Sequence, residues 1–392
     1  MKSSNTFIDL FAGCGGLSEG FYKQNFRALA HVENDHYSCE SLRIRMKHYG
    51  YSEKNINVIE KDITDKDIIH KIKNELKGSK IDVILGGPPC QSFSSLGRAK
   101  DANSMKNDPR NYLFENYEKI LNYFKPKIFL FENVMGLLTA KFQNKKVINI
   151  IKKKLGKNYK ILNDIDKMVL NSCEYGVPQI RKRVFLIGVR NDINFDIKTI
   201  FNNIKKTHYT PTSNNKDKSK KKKYLTVHNA IGDLPSLKPG EGQIISNFKT
   251  KKNCKLLDHV ARTHNKSDRK RFREMSKNKW TFDKLLEKKP SLQHKKKRVF
   301  NNSYVVQFWN KPSRTIISHL YKDGNQFIHP DYKQERTLTV REAARLQSFS
   351  DNFYFAGSRT QQYKQIGNAV PPLMSEKIAI SIKKALKEIK GV

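Results

Sequence analysis

Between residues 1 and 190, short apolar runs alternate with stretches of helical period, and few folds accept that alternation. The runs at 6–12, 27–33, 57–62, 81–87 and 127–134 predict strands, and 17–25, 35–49, 66–77, 112–124 and 145–155 predict helices. Strand, helix and strand in repetition imply a mostly parallel sheet covered on both faces, because each helix carries the chain back to the end where the next strand starts. A further apolar run at 183–190 adds one more strand. Ligands of such α/β sheets gather outside the carboxyl ends of the strands. The chemistry is therefore sought where these runs end.

The alternation stops near 191. Asn, Lys, Ser and Thr dominate beyond it, and 216–223, with six lysines and one aspartate, reads as a disordered, solvated loop. Basic clusters follow at 269–279 and 295–298, with Trp280, Tyr304, Phe308 and Trp309 among them. The stretch 191–335 reads as a second domain, irregular or short-stranded. Pattern returns at Thr339, where Glu342 three residues later has the spacing of a capping box ahead of a helix. A C-terminal helix sets Ile378, Ile382, Leu386 and Ile389 on one face.

Charge narrows the partner. The chain carries 76 Lys+Arg against 37 Asp+Glu, a net +39, which draws polyanions and points to nucleic acid, although exposed lysines can also be merely solvated. The five cysteines (14, 39, 90, 173 and 254) form no Cys-x-x-Cys pair, so neither a disulfide framework nor a metal site is expected. Asp9 interrupts the only apolar run near the N-terminus and no run reaches membrane-spanning length, so the expected location is cytoplasmic.

At the strand ends the residues are chemically pointed. Phe7 to Gly16 is a strand entering a glycine turn and then a helix, a shape that lets backbone lie against a cofactor. Glu33 ends the next strand, placed to accept hydrogen bonds from a ribose diol, and Asp62-Ile63 ends the third, offering an adenine one polar and one apolar contact. Together they suggest an adenosine-containing cofactor; the alternative is an ordinary sheet with Asp62 capping a helix. The fourth strand leads into Gly86-Gly87-Pro88-Pro89-Cys90-Gln91-Ser92-Phe93-Ser94. Prolines stiffen this turn and glycines allow close approach, so Cys90 is either a presented thiol or a small buried filler. Glu132 ends the fifth strand beside it, as a carboxylate able to keep a proton or as a cap. Arg181 and Arg183, before the last strand, offer guanidinium forks or a positive rim.

These residues, taken in order, resemble the DNA cytosine carbon-5 methyltransferases of bacterial restriction–modification systems. The matching blocks are Asp-Leu-Phe-Ala-Gly-x-Gly-Gly at 9–16, Gly-Gly-Pro-Pro-Cys-Gln-Ser-Phe-Ser at 86–94, Arg110-Asn111-Tyr112-Leu113-Phe114 and Phe-Glu-Asn-Val at 131–134. Three more follow: Gln-x-Arg-x-Arg at 179–183, Arg-Glu-Ala-Ala-Arg-Leu-Gln-Ser-Phe at 341–349 and Gln-Ile-Gly-Asn-Ala-Val-Pro-Pro at 365–372. Only about 191–310 is left unmatched.

The resemblance implies an α/β fold: a Rossmann-like S-adenosylmethionine-dependent methyltransferase domain plus a smaller irregular target-recognition domain. The catalytic domain would span 1–190 and be completed by 366–392, with target recognition at 191–335 and a connecting segment at 336–365. Cys90 would add to carbon 6 of a flipped cytosine, Glu132 would hold the base and supply a proton, and Arg183, with Arg181, would orient it. S-adenosylmethionine would lie along Phe11, Ala12, Gly13, Gly15, Gly16, Glu33, Asn34, Asp62 and Ile63. Pro89 and Leu113 would stand nearby, and Asn368 and Val370 would close the pocket. Asn34 departs from the bulky apolar residue the family often has there, which weakens stacking on the adenine. Gln91, Ser92 and Ser94 would face double-stranded DNA, 92–106 would close over the base, and Arg314 and Thr315 would meet base edges. The expected protein is a bacterial monomer acting on DNA, with a possible cognate endonuclease. Its alternatives are an RNA cytosine-5 methyltransferase and a catalytically silent sequence-specific DNA-binding protein.

Overall fold

The computed structural model describes residues 4–89, 113–142, 144–249, 255–293 and 303–390. They fall into two compact units. One comprises Met1–Asn171, Lys182–Lys206 and Pro372–Val392; the other comprises Ser172–Arg181 and Thr207–Pro371.

The first unit is built on the expected alternation. Its elements are β1 (Thr6–Leu10), α1 (Gly16–Lys23), β2 (Arg27–Glu33), α2 (His36–His48), β3 (Val58–Glu60), α3 (Ile68–Leu76), β4 (Val83–Gly86), α4 (Leu113–Phe124) and β5 (Ile128–Val134). They continue with α5 (Val147–Leu155), β6 (Tyr159–Ile161), β7 (Val169–Asn171), β8 (Lys182–Arg190) and α6 (Ile197–Asn203). The sheet runs β3-β2-β1-β4-β5-β8-β6, with β7 also paired to β8. From β3 to β5 every pairing is parallel. The last apolar run enters differently, since β8 lies antiparallel to β5, β6 and β7. Chain order reverses between β1 and β4, which makes their carboxyl ends the switch point where α/β sheets bind ligands. The central strands are buried along their whole length, which accounts for continuous apolar runs rather than alternation.

Strands β1, β3 and β4 are each at least two residues shorter than expected. β1 stops at Leu10 because Phe11 takes a left-handed conformation, φ 59°, and turns the chain out of the sheet. β3 stops at Glu60, leaving Asp62 in the turn beyond it.

In the second unit the basic cluster at 269–279 is mostly helix. Helix α7 (Lys266–Asn278) follows a hairpin of β9 (Gly242–Lys249) and β10 (Lys255–Val260), and α8 (Phe282–Lys288) comes next. Phe272 and Met275 face inward from α7 to meet Phe282, Leu285, Tyr304, Val306 and Ile328 in an apolar core. The lysines and arginines on the other face hide this periodicity in composition. Likewise 216–223 is not wholly a loop, for Asn215–Lys220 forms a short helix capped by the Asn214 side chain, which accepts from Asp217 N–H.

The segment 336–365 lies within the second unit and buries several polar side chains among apolar ones. It contributes α9 (Val340–Leu346) and the start of α10 (Arg359–Asn368). Thr339 and Glu342 form the expected capping box. Arg336 also grips the Glu342 carboxylate with both terminal nitrogens, at 2.8 and 2.7 Å, and both side chains are buried.

The first unit runs to Lys206 and takes up the chain again from Pro372. Packing explains both limits. α6 lies under α11 (Pro372–Lys390), where the Ser381 hydroxyl donates to the Ile200 carbonyl. α11 also crosses α1 so closely that a Cβ at Gly20 would stand 2.3 Å from the Glu376 nitrogen. Only glycine fits that crossing.

Candidate active site

The turn after β1 carries the first group of expected residues. Phe11, Gly13 and Gly15 all take positive φ, while Ala12 and Gly16 are buried beside them. Glu33, at the end of β2, organises this turn: its Oε2 accepts from Gly13 N–H at 2.7 Å, and its Oε1 accepts from the N–H groups of Asn34 and Asp35, each at 2.9 Å. Burial pushes the Glu33 carboxyl above its usual range, while these three donors favour its anion. Asn34 reaches on from Nδ2 to Asp62 Oδ2 at 3.2 Å. Asp62 Oδ1 accepts from the hydroxyl and N–H of Thr64, which hold the carboxyl below its usual range. Ile63 is buried behind it.

Beneath the turn, Asp9 is fully buried and accepts a hydrogen bond from the Ser18 hydroxyl. Burial raises the Asp9 carboxyl to about 7 against that bond, and the Glu33 charge adds to the rise. Asp9 was legible only as part of a block; its pairing with Ser18 was not.

The second group forms where β4 and β5 end. Leu10 stands opposite Gly86 in the sheet and Gly86 opposite Phe131, so the glycine turn, the Gly86–Pro89 turn and Glu132 leave neighbouring strands side by side. Glu132 lies on Gly87: a Cβ there would come within 2.9 Å of its Oε2. Asn133 Nδ2 donates to the Pro88 carbonyl at 3.0 Å, anchoring the backbone one peptide before Pro89. Tyr117 fills the space under Gly86 and reaches the Ile84 and Leu130 carbonyls through its hydroxyl. Neither Asn133 nor Tyr117 was assigned a role from sequence, although Asn133 stands within the quoted Phe-Glu-Asn-Val block.

β8 completes the site. Phe185 pairs with Glu132, so Arg183, two residues away, occupies the diagonal position on the same face. Its Nε lies 3.1 Å from Glu132 Oε1. Burial lowers the Arg183 guanidinium from its ordinary value and Glu132 opposes that fall.

Other expected residues belong to the second unit. Arg181 is buried and donates from Nη1 to the Ile316 carbonyl at 2.7 Å and from Nη2 to the Gly367 carbonyl at 2.9 Å. It braces backbone there, while Arg183 is the arginine seen on Glu132. Gln179 braces the same region, donating to the Leu346 carbonyl and accepting from Ile316 N–H. Arg314 and Thr315 are half-buried beside a hollow of about 350 Å³ that Ile180 and Ile317 also line. Asn368 ends α10 and is exposed, whereas Val370 is buried. In the first unit, Pro89 and Leu113 are half-buried. Cys90, Gln91, Ser92 and Ser94 lie outside the described residues, as do Arg110, Asn111 and Tyr112.

The described cysteines 14, 39 and 173 are buried. Burial pushes the Cys14 and Cys39 thiols up, which disfavours the thiolate at both. Among the described residues, no cluster of three or more His, Cys, Asp or Glu could hold a metal ion, and no helix is long and apolar enough to cross a membrane.

The family model for C-5 cytosine-specific DNA methylases matches residues 5–384, almost the whole chain and every element of this site. The chain belongs to the C-5 cytosine-specific DNA methylase family. It is 32% identical to a Type II methyltransferase of Bacillus paralicheniformis, over 96% of this chain and 98% of that one. It is 33% identical to a Type II methyltransferase of Desulfomicrobium norvegicum, over 95% of this chain and 87% of that one. Among solved structures, the Entamoeba histolytica methyltransferase EhMeth shares the fold with a TM-score of 0.58 at 16% identity, over 98% of this chain and 99% of the other.

As a C-5 cytosine-specific DNA methylase, the protein methylates carbon 5 of cytosine in DNA with S-adenosylmethionine as donor. The first unit fits that cofactor. Space stays open in front of Gly13, where a Cβ would meet nothing within 4 Å. The Glu33 and Asp62 carboxylates stand at successive strand ends on either side of Asn34. Glu33 accepts one bond at Oε2, leaving a lone pair there for a ribose hydroxyl.

Proposed function

We propose that Cys90, Glu132 and Arg183 carry the methyl transfer and that Glu33 and Asp62, with the 11–16 turn, hold S-adenosylmethionine. The observation that carries this reading is the contact of Arg183 with Glu132, made against the glycine of the turn that runs directly into Cys90. When bound, S-adenosylmethionine supplies an electrophilic methyl group on its sulfonium. The protein's part is to make carbon 5 of a cytosine nucleophilic. The Cys90 thiolate adds to carbon 6, forming a sulfur–carbon bond, and the displaced π electrons raise the density at carbon 5. Glu132 donates a proton to the ring nitrogen that gathers the negative charge, and Arg183 fixes the carboxyl in place. Once carbon 5 carries the methyl group, loss of its proton breaks the sulfur–carbon bond and releases the thiolate, and the ring nitrogen returns its proton to Glu132.

A stacked cytosine exposes neither face to this site, so the base is extruded from the duplex. The second unit, with Arg314 and Thr315, recognises the target, and its lysines bind phosphates. Gln91, Ser92 and Ser94 lie along the DNA. Pro89 and Leu113 line the cofactor pocket of the first unit. The protein acts as a monomer in the bacterial cytoplasm, within a restriction–modification system whose endonuclease cuts the same site.

Expression with a plasmid, followed by bisulfite sequencing, tests this reading. Wild-type protein marks cytosines within one sequence, whereas Cys90→Ala marks none yet still binds that sequence. Methylation by Cys90→Ala would overturn the assignment.

A further inference from the structure

We infer that the hairpin edge strand β9 reads base edges in the DNA major groove, with Ile244 or Ile245 against a thymine methyl; this rests on the second unit's being the target-recognition part. Ile244 and Ile245 are 65% and 60% exposed, on a strand whose outer edge has no partner strand among the described residues. Open edges are usually blunted by charge, yet residues 242–247 carry none. Successive strand residues point to opposite faces, so Ile244 and Ile245 give each face of β9 one exposed apolar side chain.

The strand behind it is rigid. Arg341, fully buried in α9, donates from Nε to the Leu257 carbonyl at 2.8 Å, and Gln362 of α10 donates to Asp258 Oδ1 at 3.1 Å. His259 is fixed between the Thr339 hydroxyl and the Pro235 carbonyl, at 3.1 and 2.9 Å. The hairpin also starts at a forced turn, since Gly242 has φ +110° and a Cβ there would stand 2.1 Å from the His259 carbonyl oxygen. The buried polar residues Thr339, Arg341 and Gln362 thus hold β10 still while β9 faces outward.

Charge selects DNA as the occupant. Lys255 opens β10, and the one carboxylate on the two strands, Asp258, is buried. A two-stranded ribbon fits the major groove, where apolar side chains meet thymine methyls and a glutamine such as Gln243 can pair with adenine. Lysines beside such a ribbon neutralise phosphates.

The test compares wild type with Ile244→Ser, Ile245→Ser, their Thr counterparts, which keep strand propensity, and Lys255→Gln. Bisulfite mapping with wild type first identifies the site; failure there would sink the DNA reading itself rather than the role of the hairpin. Binding is then measured to a duplex holding the site and to one lacking it. At least one Ile→Ser change, and its Thr counterpart, should weaken binding to the site about 10-fold, leave the other duplex unaffected and relax the mapped sequence at one position. Lys255→Gln should weaken both equally and lower the salt slope by about one. Unchanged discrimination in all the isoleucine variants overturns the inference, as does a changed sedimentation coefficient with unchanged DNA binding, which would assign β9 to a second copy of the chain. S-adenosylmethionine binding and the thermal midpoint, measured alongside, exclude unfolding as the cause of a loss.

Discussion

Arg183 Nε lies 3.1 Å from Glu132 Oε1, with each side chain 13% exposed. The contact joins diagonal positions on antiparallel strands, so it exists only because β8 enters the sheet against the direction of β5. A guanidinium held this way fixes the carboxylate, whose second oxygen lies toward Gly87. Replacing Glu132 by Gln keeps the shape and removes the acid. The expected loss in the single-turnover methylation rate is about 10²–10⁴-fold, the usual contribution of a positioned proton donor. Arg183→Lys, which loses the planar fork, should cost rate as well. S-adenosylmethionine affinity by calorimetry should stay level in both variants, and a near-normal rate in Glu132→Gln would remove its role.

Gly87→Ala probes the same carboxylate from below. The added methyl would stand 2.9 Å from Glu132 Oε2 and must displace it. Because misplacement by about 1 Å can cost on the order of 100-fold, a similar drop in turnover is expected. The thermal midpoint should move little, because Gly87 lies outside β4 and is only half-buried. Full activity would show that Glu132 has room to spare.

Glu33→Gln tests the cofactor turn. The amide can accept on only one side, so either Gly13 N–H or the Asn34 and Asp35 N–H groups would face another donor. S-adenosylmethionine should bind more weakly by on the order of 10-fold, as expected for a buried donor left unmatched. Equilibrium dialysis measures this directly, and unaltered affinity would place the ribose elsewhere.

Asp9 gives the protein a pH signature. Its folded pKa of about 7 exceeds the unfolded value of 3.8, so between those values the folded state holds a proton that the unfolded state has released. The Asp9 contribution is therefore fully present below pH 4, declines as pH rises, and is lost above about 7, at a cost on the order of 4 kcal/mol. Asp9→Asn removes this dependence. Its urea midpoint relative to wild type should rise from pH 4 to pH 7 and then level off; a constant offset would refute the assignment. His31 works in the opposite sense, because burial lowers it to about 4 and its contribution is lost as pH falls from 6.5. His31 is present in both proteins, so it cancels from the comparison.

Local pattern carried much of this site. Strand ends follow from where an apolar run stops, so Glu33, Asp62 and Glu132 could be placed at a sheet edge from spacing alone. The capping box at Thr339 and Glu342 was equally legible, because it is a contact between residues three apart. That Glu342 also anchors Arg336 in the interior was not, since an arginine looks the same in sequence whether solvated or buried. The same ambiguity hid Arg181 among guanidinium forks, and hid the core of α7 behind its lysines.

By itself, then, the chain's hydrophobic periodicity determined an α/β sheet with carboxylates and a glycine turn at its strand ends, because period and turn chemistry are local properties. Strand order, the antiparallel entry of β8 and the division of labour between Arg181 and Arg183 were decided only in the tertiary structure. Each depends on which distant surface buries a given strand or guanidinium, and no local spacing encodes that choice.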